Sequence, residues 1–389
     1  MLDVVVVGGG PGGLFAAELL AKRGARVAVF EEHDDIGSPV HCTGVLAADA
    51  IKALHLPPEA VLNPLSTVRF VAPGGDAFAY TTSAVEAIVI DRKVFDQGLL
   101  QAAERAGVTI TRNTRIARME QGADSVTITT GAGVAIQSRS VILACGAHYA
   151  FQKSLGLGFP AAFLQSAQME MPADHLGDVE VHFGSHIAPK GFAWVVPVKR
   201  PEGSFARVGV MAESDVATLF ERMYERVRER WQLERPEGSL PRRRMLPLSS
   251  IDCTYADRTL VIGDAAGLVK PTTGGGIYYS VVSAQIAAEV LTQSLASGDL
   301  SASALKRYED EWRARFEPEF TAQLALRRLA ERLSDTEIDA LFDLARTDGI
   351  LPIVRRTARF NEHRGLVIAL LKHAPVRQIL MRRLASVVH

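Results

Sequence analysis

The chain has 389 residues, of which 48% are hydrophobic and 22% are charged, so it can bury a large core in at least two subdomains. Its formal charge of -1 excludes a global field that would attract nucleic acid, and its three scattered cysteines exclude a disulfide framework or a zinc site. No apolar run reaches the roughly 18 residues that a membrane-spanning helix requires, so any membrane contact is expected to be peripheral.

The first 32 residues predict a strand, a glycine-rich turn, a helix and a second strand. In the turn, Gly8 permits tight bending, Gly10 lets the main chain approach a pyrophosphate, and Gly13 lets the helix pack on the strand. Glu31, at the end of the second strand, is placed to accept hydrogen bonds from a ribose. This arrangement predicts a dinucleotide site. Further candidates for that site are Pro11, Gly12 and Glu32.

A loop at residues 37–44, GSPVHCTG, carries His41 and Cys42 and follows the ribose-binding strand, where loops commonly line a site. Beyond it, Asp91 begins a predicted helix that Gly107 ends. The predicted strands lie at 66–90, 108–111, 114–119, 125–130 and 141–146, and a strand-rich stretch at about 160–250 contains one amphipathic helix at about 213–231.

A second glycine-rich segment, GDAAGLVKPTTGGGI at 263–277, follows a short strand at 259–262 and precedes a predicted helix at 278–297. Asp264 can accept hydrogen bonds from sugar hydroxyls. Gly274, Gly275 and Gly276 begin a helix whose free amides and positive dipole end suit an electron-rich ring. A reduced flavin carries negative charge on its ring, so two such elements, far apart in the chain, indicate FAD rather than NAD.

Five segments occur in an order that resembles a known family: GGGPGG with Glu31, a PxxCxG loop of Pro39, Cys42 and Gly44, DRKVFD at 91–96, FAWVVPVK at 192–199, and GDAAG with PTTGGGI. Over about residues 1–300 the chain resembles the FAD-dependent geranylgeranyl reductases, within the para-hydroxybenzoate hydroxylase-like flavoproteins. Two positions depart from the family pattern. Val196 replaces an aromatic residue before the proline, and Cys145-Gly146 replaces Asp-Gly.

The resemblance implies an α/β fold with an FAD-binding Rossmann-like domain of the glutathione reductase type, an inserted antiparallel-sheet substrate domain and a helical C-terminal region. The predicted domains are a discontinuous FAD-binding domain at 1–65, 91–160 and 250–300, a substrate-binding domain at 66–90 and 161–249, and the helical region at 301–389.

The resemblance also implies reduction of isolated C=C bonds in a geranylgeranyl or other polyprenyl chain on a lipid, quinone or pigment precursor. Such a bond has no carbonyl to polarise it, so hydride from flavin N5 must be matched by a proton from a nearby acid. A thiol keeps its proton unless a cation is adjacent, which makes Cys42 a candidate donor and His41 a candidate neighbouring cation. Flavin-side packing, a covalent or redox contact and simple burial are the alternatives for Cys42.

The other candidates are assigned by position. The resemblance suggests that Arg92 reaches the cofactor's phosphates or ribityl oxygens, although alone it would be an exposed helix charge. Further cofactor-binding candidates are Gly263, Pro271 and Ile277. The substrate-binding candidates are Phe192, Trp194, Pro197, Tyr278 and Tyr279, for which core packing is the alternative.

The end of the chain is strongly basic, with eight Lys or Arg residues and one acidic residue from Pro352 to His389. The basic residues are Arg355, Arg356, Arg359, Arg364, Lys372, Arg377, Arg382 and Arg383. One interpretation is peripheral contact with an anionic membrane, and the other is a solvated helical face or a subunit contact. Because no signal peptide is predicted, we expect a cytoplasmic protein, with contact at the inner face of the membrane under the first interpretation.

Two further functions are compatible with the same fold: a flavin-dependent monooxygenase or halogenase, and a non-catalytic flavoprotein that binds a prenyl lipid. A quinone oxidoreductase with an iron-sulfur cluster would need clustered ligands that the cysteine spacing does not provide. The candidate electron sources are NADPH, NADH and a ferredoxin. The sequence contains no second GxGxxG motif that would mark a nicotinamide site. The oligomeric state is equally undetermined by the sequence.

Overall fold

The computed structural model describes residues 1–347 and 350–385, with side chains described as far as residue 379. The strands are β1 (Leu2–Val7), β2 (Val27–Phe30), β3 (Val45–Ala47), β4 (Val61–Leu65), β5 (Thr67–Val71), β6 (Ala77–Thr81), β7 (Ala87–Ile90), β8 (Thr109–Thr111), β9 (Ile116–Gln121), β10 (Val126–Thr130), β11 (Ala135–Leu143), β12 (Phe163–Pro172), β13 (Val179–His182), β14 (Phe192–Arg200), β15 (Gly203–Ala212), β16 (Arg242–Pro247), β17 (Tyr255–Ala256) and β18 (Thr259–Val261). The helices are α1 (Pro11–Lys22), α2 (Ala48–Ala53), α3 (Arg92–Arg105), α4 (Ala150–Ser154), α5 (Val216–Trp231), α6 (Ile277–Ser297), α7 (Ala302–Ala330), α8 (Asp335–Thr347), α9 (Ile350–Thr357), α10 (Arg364–Lys372) and α11 (Ala374–Ala385).

The first sheet has a parallel centre, in the order β18-β11-β1-β2-β8. Residues 4–7 of β1 are buried, as expected for a central parallel strand covered on both faces. The antiparallel strands β17, β10 and β9 complete this sheet. The strand predicted at 141–146 begins earlier, at Ala135, because its first half pairs with β10, and it ends at Leu143.

The second sheet has seven strands in the order β16-β12-β15-β14-β13-β5-β6 and is antiparallel except for the β13-β5 pair. The amphipathic helix α5 packs on one face, where Phe220 and Met223 lie in a buried cluster with the side chains of β12 and β15. A small third sheet, β3-β7-β4, contains the last strand of the predicted stretch at 66–90. The division of the chain into three domains stays a prediction.

The predicted helix after residue 90 is present, and its first residue is explained by capping. The Asp91 carboxylate accepts hydrogen bonds from the amides of Lys93 and Val94, at 2.8 and 3.1 Å. Such a side-chain cap satisfies amides that have no partner within the helix. Arg92 therefore occupies the first turn of α3, beside the residue 37–44 loop.

The C-terminal helices cover parts of both large sheets. Trp312 and Tyr308 of α7 are buried, and the Tyr308 hydroxyl donates to the Val261 carbonyl at 2.8 Å. Farther on, Phe342 of α8 packs against Phe78 and Phe183, with ring centres 5.2 and 5.9 Å apart. Among the described residues, none of the helices combines the length and apolarity needed to cross a bilayer. The side chains of Arg382 and Arg383 lie outside the described part of the chain.

Candidate functional site

The turn between β1 and α1 forms a cradle with glycines in three different roles. Gly8 has a φ of +109°, and a Cβ there would lie 2.4 Å from the Ala144 carbonyl oxygen. A Cβ on Gly13 would lie 2.1 Å from the Gly8 oxygen, so only glycine allows α1 to pack against the strand. Gly10 caps α1, and a Cβ there would meet nothing within 4 Å, because this glycine faces the main cavity. The cradle therefore has room for a phosphate against the main chain.

Glu31 lies at the end of β2, beside this cradle. One carboxylate oxygen accepts a hydrogen bond from the Gly9 amide at 2.7 Å, and the other accepts from the His33 amide at 2.9 Å. The carboxylate is thus held at the cavity wall, and lone pairs remain for a ribose. Glu32 is exposed, and it also lines the cavity.

The second glycine-rich segment reaches the same cavity. Asp264 lies in the 3-10 turn after β18, and its Oδ1 would be only 2.5 Å from a Cβ on Gly276, the cap of α6. Burial raises the pKa of Asp264, while Arg92 and Arg244 oppose that shift. A second close approach joins α1 to α6, because a Cβ on Gly12 would lie 2.3 Å from the Ser280 Oγ. The two cofactor elements of the sequence therefore meet in space.

The PxxCxG loop lies against the start of α3. The Cys42 Sγ accepts a hydrogen bond from the Gly44 amide at 3.3 Å. The guanidinium of Arg92 pairs with Asp96 at 2.9 Å, and it also lies beside the Cys42 sulfur. Burial lowers the pKa of Arg92, but Asp96 and Cys42 outweigh burial and raise it.

His41 differs from the sequence-based expectation. Burial lowers the pKa of His41 to about 4, and the positive charges of Arg244, Arg242 and Arg92 act in the same direction. His41 is therefore neutral near pH 7, and the cation beside Cys42 is Arg92. Both ring nitrogens of His41 are buried without a hydrogen-bond partner among the described residues.

A buried ion network holds the PxxCxG loop, and the sequence analysis missed it. The Arg207 guanidinium, 1% exposed, donates to the Thr43 and Ile90 carbonyls at 2.6 and 3.0 Å and pairs with Glu170 at 2.6 Å. Arg200 pairs with Glu170 at 2.7 Å and also with Asp91, the cap of α3. The sequence carries no signal for these pairs, because the partners come from four separate segments.

Lys270, inside the second glycine-rich segment, is another residue that the sequence analysis did not single out. It is 3% exposed, lines the main cavity, and donates to the Phe360 carbonyl at 2.6 Å. Burial lowers the pKa of Lys270 to about 7, although Glu319 opposes this shift. The buried cation thus connects the cofactor segment to the C-terminal helices.

One continuous cavity of about 1830 Å³ joins the glycine cradle, the second glycine-rich segment with Lys270, and the PxxCxG loop. Beyond the cofactor motifs its wall is mostly apolar, and we call this part the apolar tunnel. On the second sheet the apolar tunnel is lined by Val68, Phe70, Val179, Val181, Phe183, Phe192, Trp194, Val196 and Met211. From the C-terminal helices and their connections it is lined by Leu326, Leu333, Ile338, Leu341, Phe342 and Val354.

The structure separates the predicted substrate residues into two groups. Phe192, Trp194 and Val196 alternate along β14 and line the apolar tunnel, whereas Pro197 is on the opposite face and its carbonyl accepts from the Asn63 side chain. Neither of the predicted tyrosines lines the cavity. Tyr279 packs against Phe316 and Phe320 at ring distances of 5.0 and 4.8 Å, and Tyr278 stacks edge-on against it.

Two predicted cofactor residues also lie outside the cavity wall. Gly263 packs closely on α6, where a Cβ would lie 2.4 Å from the Ser280 Oγ. The Pro271 carbonyl accepts a hydrogen bond from Arg327 at 3.1 Å. Through these contacts, Gly263 and Pro271 hold the second glycine-rich segment in place without lining the cavity. The predicted cofactor residues that do line the cavity are Asp264, Gly274, Gly275, Gly276 and Ile277.

Comparison with known proteins agrees with this geometry. The profile of the family described as "Lycopene cyclase protein" matches residues 3–347. A digeranylgeranylglycerophospholipid reductase of Methanocaldococcus jannaschii is 32% identical over 352 residues, which cover 87% of this chain and 89% of that protein. The chain belongs to the geranylgeranyl reductase family. The predicted family and the assignment as an oxidoreductase are confirmed.

Other members and neighbours of the geranylgeranyl reductase family support the same fold. A second digeranylgeranylglycerophospholipid reductase, from Methanopyrus kandleri, is 30% identical and covers 91% of this chain and 92% of its own. The crystal structure of a geranylgeranyl bacteriochlorophyll reductase-like protein from Thermoplasma acidophilum superposes with a TM-score of 0.84, at 23% identity, over 98% of this chain and 99% of that one.

More distant neighbours share only the fold. The p-nitrophenol 4-monooxygenase of Pseudomonas putida has a TM-score of 0.72 at 21% identity, covering 92% of this chain and 96% of that one. The halogenase PltM, solved with FAD, has a TM-score of 0.69 at 14% identity, covering 98% and 85%. The predicted fold class, an FAD-dependent flavoprotein fold with a helical C-terminal region, is confirmed.

Proposed function

We propose that this protein reduces isolated C=C bonds in a polyprenyl chain carried by a lipid, with FAD as its redox cofactor. The observation that carries the proposal is the single cavity that joins the glycine cradle, the Cys42 loop and the apolar tunnel. The two relatives described above are named digeranylgeranylglycerophospholipid reductases, and that name specifies a lipid substrate that carries prenyl chains.

The cavity walls fit FAD, which supplies hydride at its ring nitrogen when bound. Gly10 leaves open space against the main chain for the pyrophosphate, and Glu31 and Asp264 offer carboxylates for sugar and ribityl hydroxyls. At the other end, residues 274–276 present the N-terminus of α6, whose dipole favours negative charge on the ring. The Arg92 guanidinium completes the wall beside the PxxCxG loop.

Cys42 is the residue that we assign to proton transfer. Hydride addition to one alkene carbon requires a proton on the other, and we assign that proton to the Cys42 thiol in the cavity wall, beside which the charge of Arg92 is already paired with Asp96. Loss of that proton leaves a thiolate, which the Gly44 amide and the Arg92 guanidinium would stabilise. Solvent then returns the proton to sulfur, so the residue is regenerated at each cycle.

The apolar tunnel selects the substrate class. Each methylene buried from water contributes about 0.8 kcal/mol to binding, so a long prenyl chain gains affinity along the whole wall. Phe192 and Trp194, with ring centres 5.8 Å apart, form one side of that wall. Ile338 and Phe342 of α8 line the same space. Water is thereby excluded from the double bond while the proton and hydride are delivered.

The test is an anaerobic assay of the FAD-loaded protein, reduced chemically, with a digeranylgeranyl glycerophospholipid. We expect the product mass to increase by two hydrogens for each bond reduced. Cys42→Ala is expected to retain FAD and lipid binding and to lose turnover by about 10²- to 10⁴-fold, the usual contribution of a general acid. Cys253→Ala is the matched control, because Cys253 does not line the cavity.

Two results would contradict the proposed reduction, and a third would contradict only the role of Cys42. Wild-type protein that binds the lipid without reducing it would be a carrier. Reduced protein that hydroxylates or halogenates an aromatic compound with oxygen, and leaves prenyl lipids unchanged, would be a monooxygenase or halogenase. Full turnover by the Cys42→Ala variant would remove Cys42 from the mechanism while leaving the reductase activity established.

A further inference from the structure

We propose that the outer strand of the second sheet, together with His41, forms a subsite for a phosphate group. The subsite comprises Arg242 and Arg244, which share one face of β16, and the imidazole of His41, and we call it the arginine vestibule. It deepens the proposed function, because both a nicotinamide dinucleotide and a phospholipid carry phosphate. Neither the family match nor the comparisons assign a ligand to these residues.

The first observation is the position of the two arginines. β16 is an edge strand that pairs only with β12 within the described part of the chain, and its arginines are exposed. Arg244 lines the main cavity. Arg242 lines an adjoining cavity of about 280 Å³, which shares Val40, Arg92 and Gln168 with the main one. The vestibule therefore opens beside the PxxCxG loop.

The second observation is charge. Arg200 and Arg207 in the adjoining cavity are already paired with Glu170, and Arg92 is paired with Asp96. By contrast, neither Arg242 nor Arg244 has a carboxylate within 4.0 Å among the described side chains. A guanidinium presents a planar fork of donors that matches the oxygens of a phosphate, so unpaired arginines at a cavity mouth favour that ligand.

The third observation is His41. Both of its ring nitrogens are buried and have no hydrogen-bond partner within residues 1–347 and 350–379, which is costly unless a ligand supplies one. The charged groups that act on it are Arg244 and Arg242 of β16, Arg92 of α3 and His33 after β2. Since burial, with these neighbouring charges, keeps the imidazole neutral, it can donate one hydrogen bond to an anion without adding charge.

The positive charge of Arg244 also lowers the pKa of the Asp264 carboxylate, against the effect of burial. The arginine vestibule therefore interacts electrostatically with the cofactor segment. A phosphate bound at the vestibule would therefore lie at the same end of the cavity as the cofactor motifs. This position suits the phosphate of a dinucleotide electron donor, and it equally suits a lipid head group whose chain enters the apolar tunnel from this side.

The experiment measures binding to the FAD-loaded full chain by calorimetry, without turnover. One arm uses adenosine 2′,5′-bisphosphate, and the other compares geranylgeranyl monophosphate with geranylgeraniol in detergent. We expect the Arg242→Gln/Arg244→Gln variant to bind one of the two phosphate probes about tenfold or more weakly, since it loses the charge-assisted hydrogen bonds of two guanidinium groups to the phosphate. Arg118→Gln/Arg226→Gln removes the same charge at exposed positions outside both cavities and serves as control.

Each outcome decides the question. A loss confined to the bisphosphate supports a dinucleotide site, and a loss confined to the prenyl phosphate, with geranylgeraniol unchanged, supports a lipid head-group site. His41→Leu should weaken the same probe several-fold with no change of net charge. Equal binding in the double variant, or an equal loss in the control variant, would overturn the proposal. Because no catalysis is measured, this result is independent of whether prenyl reduction is found.

Discussion

The Lys270 ammonium donates a 2.6 Å hydrogen bond to the Phe360 carbonyl and lies 4.2 Å from the centre of the Phe360 ring. Two neighbouring contacts repeat this connection: Thr272 with the His363 ring at 3.0 Å, and the Tyr279 hydroxyl with the Asn361 carbonyl at 3.0 Å. The segment between α9 and α10 is thereby attached to the cofactor segment. The C-terminal helices thus complete the cavity as part of the same folded unit.

Replacing Lys270 should change how stability depends on pH. Burial lowers the pKa of Lys270 to about 7 in the folded protein, against 10.5 for a free lysine. The unfolded chain therefore binds more protons between these values, and this residue makes the free energy of unfolding rise with pH over that window. Lys270→Met should flatten the rise between about pH 7 and pH 10, as measured by urea unfolding of the FAD-loaded protein. An unchanged slope in the variant would show that another group causes it.

Gly10 and Gly13 should respond oppositely to the same substitution. A Cβ on Gly10 meets nothing within 4 Å, so Gly10→Ala should leave the stability of the apoprotein within about 0.5 kcal/mol while FAD binds tenfold or more weakly. A Cβ on Gly13 would lie 2.1 Å from the Gly8 oxygen, so Gly13→Ala should prevent folding of the β1-α1 unit. Urea unfolding and flavin fluorescence titration measure the two effects. Normal FAD affinity in Gly10→Ala would place the pyrophosphate elsewhere.

Arg207 should act as a positioning residue for the PxxCxG loop. Arg207→Met leaves the Glu170 carboxylate with one partner fewer and the Thr43 and Ile90 carbonyls without their donor, so we expect destabilisation by about 3–5 kcal/mol. In addition, the Cys42 thiol should react faster with an alkylating reagent, because its loop loses the anchor.

The control for this prediction is Arg207→Lys, which keeps the charge but cannot make the forked set of hydrogen bonds. It should restore part of the stability and little of the loop position. If Cys42 labelling in native conditions stays at the wild-type rate in Arg207→Met, the residue stabilises the sheet without positioning the loop.

Val196 should set the length of prenyl chain that the protein accepts. It lines the apolar tunnel on the same face of β14 as Trp194 and is 3% exposed, so a larger side chain must occupy tunnel space. Val196→Phe should reduce kcat/KM for a geranylgeranyl chain more than for a geranyl chain, with FAD binding retained and at most about 1–3 kcal/mol of stability lost. The exposed Val134 gives a matched control, Val134→Phe. Equal losses for both chain lengths would place the substrate elsewhere.

Much of the cofactor end could be predicted from local sequence. Gly8 is required by its positive φ angle, and Gly13 is required by its close approach to the Gly8 oxygen, five residues earlier. The spacing of the two glycines therefore carries the information. The same holds for Asp91, which caps the helix that begins at the next residue. By contrast, the sequence did not determine that Pro197 and Tyr279 lie away from the cavity, because a shift of one residue in a strand or one turn in a helix decides which face is presented to it.

What the sequence determined by itself was therefore the two glycine-rich elements, the order of strands and helices around them, and the family to which they belong. Only the tertiary structure decided which charges pair, as with Arg207 and the Thr43 carbonyl, and that α8 and α9 close the apolar tunnel. The physical reason is the separation along the chain of the residues that interact. Backbone angles and helix caps depend on neighbouring residues, whereas burial, ion pairing and a cavity wall depend on segments more than a hundred residues apart that meet only after folding.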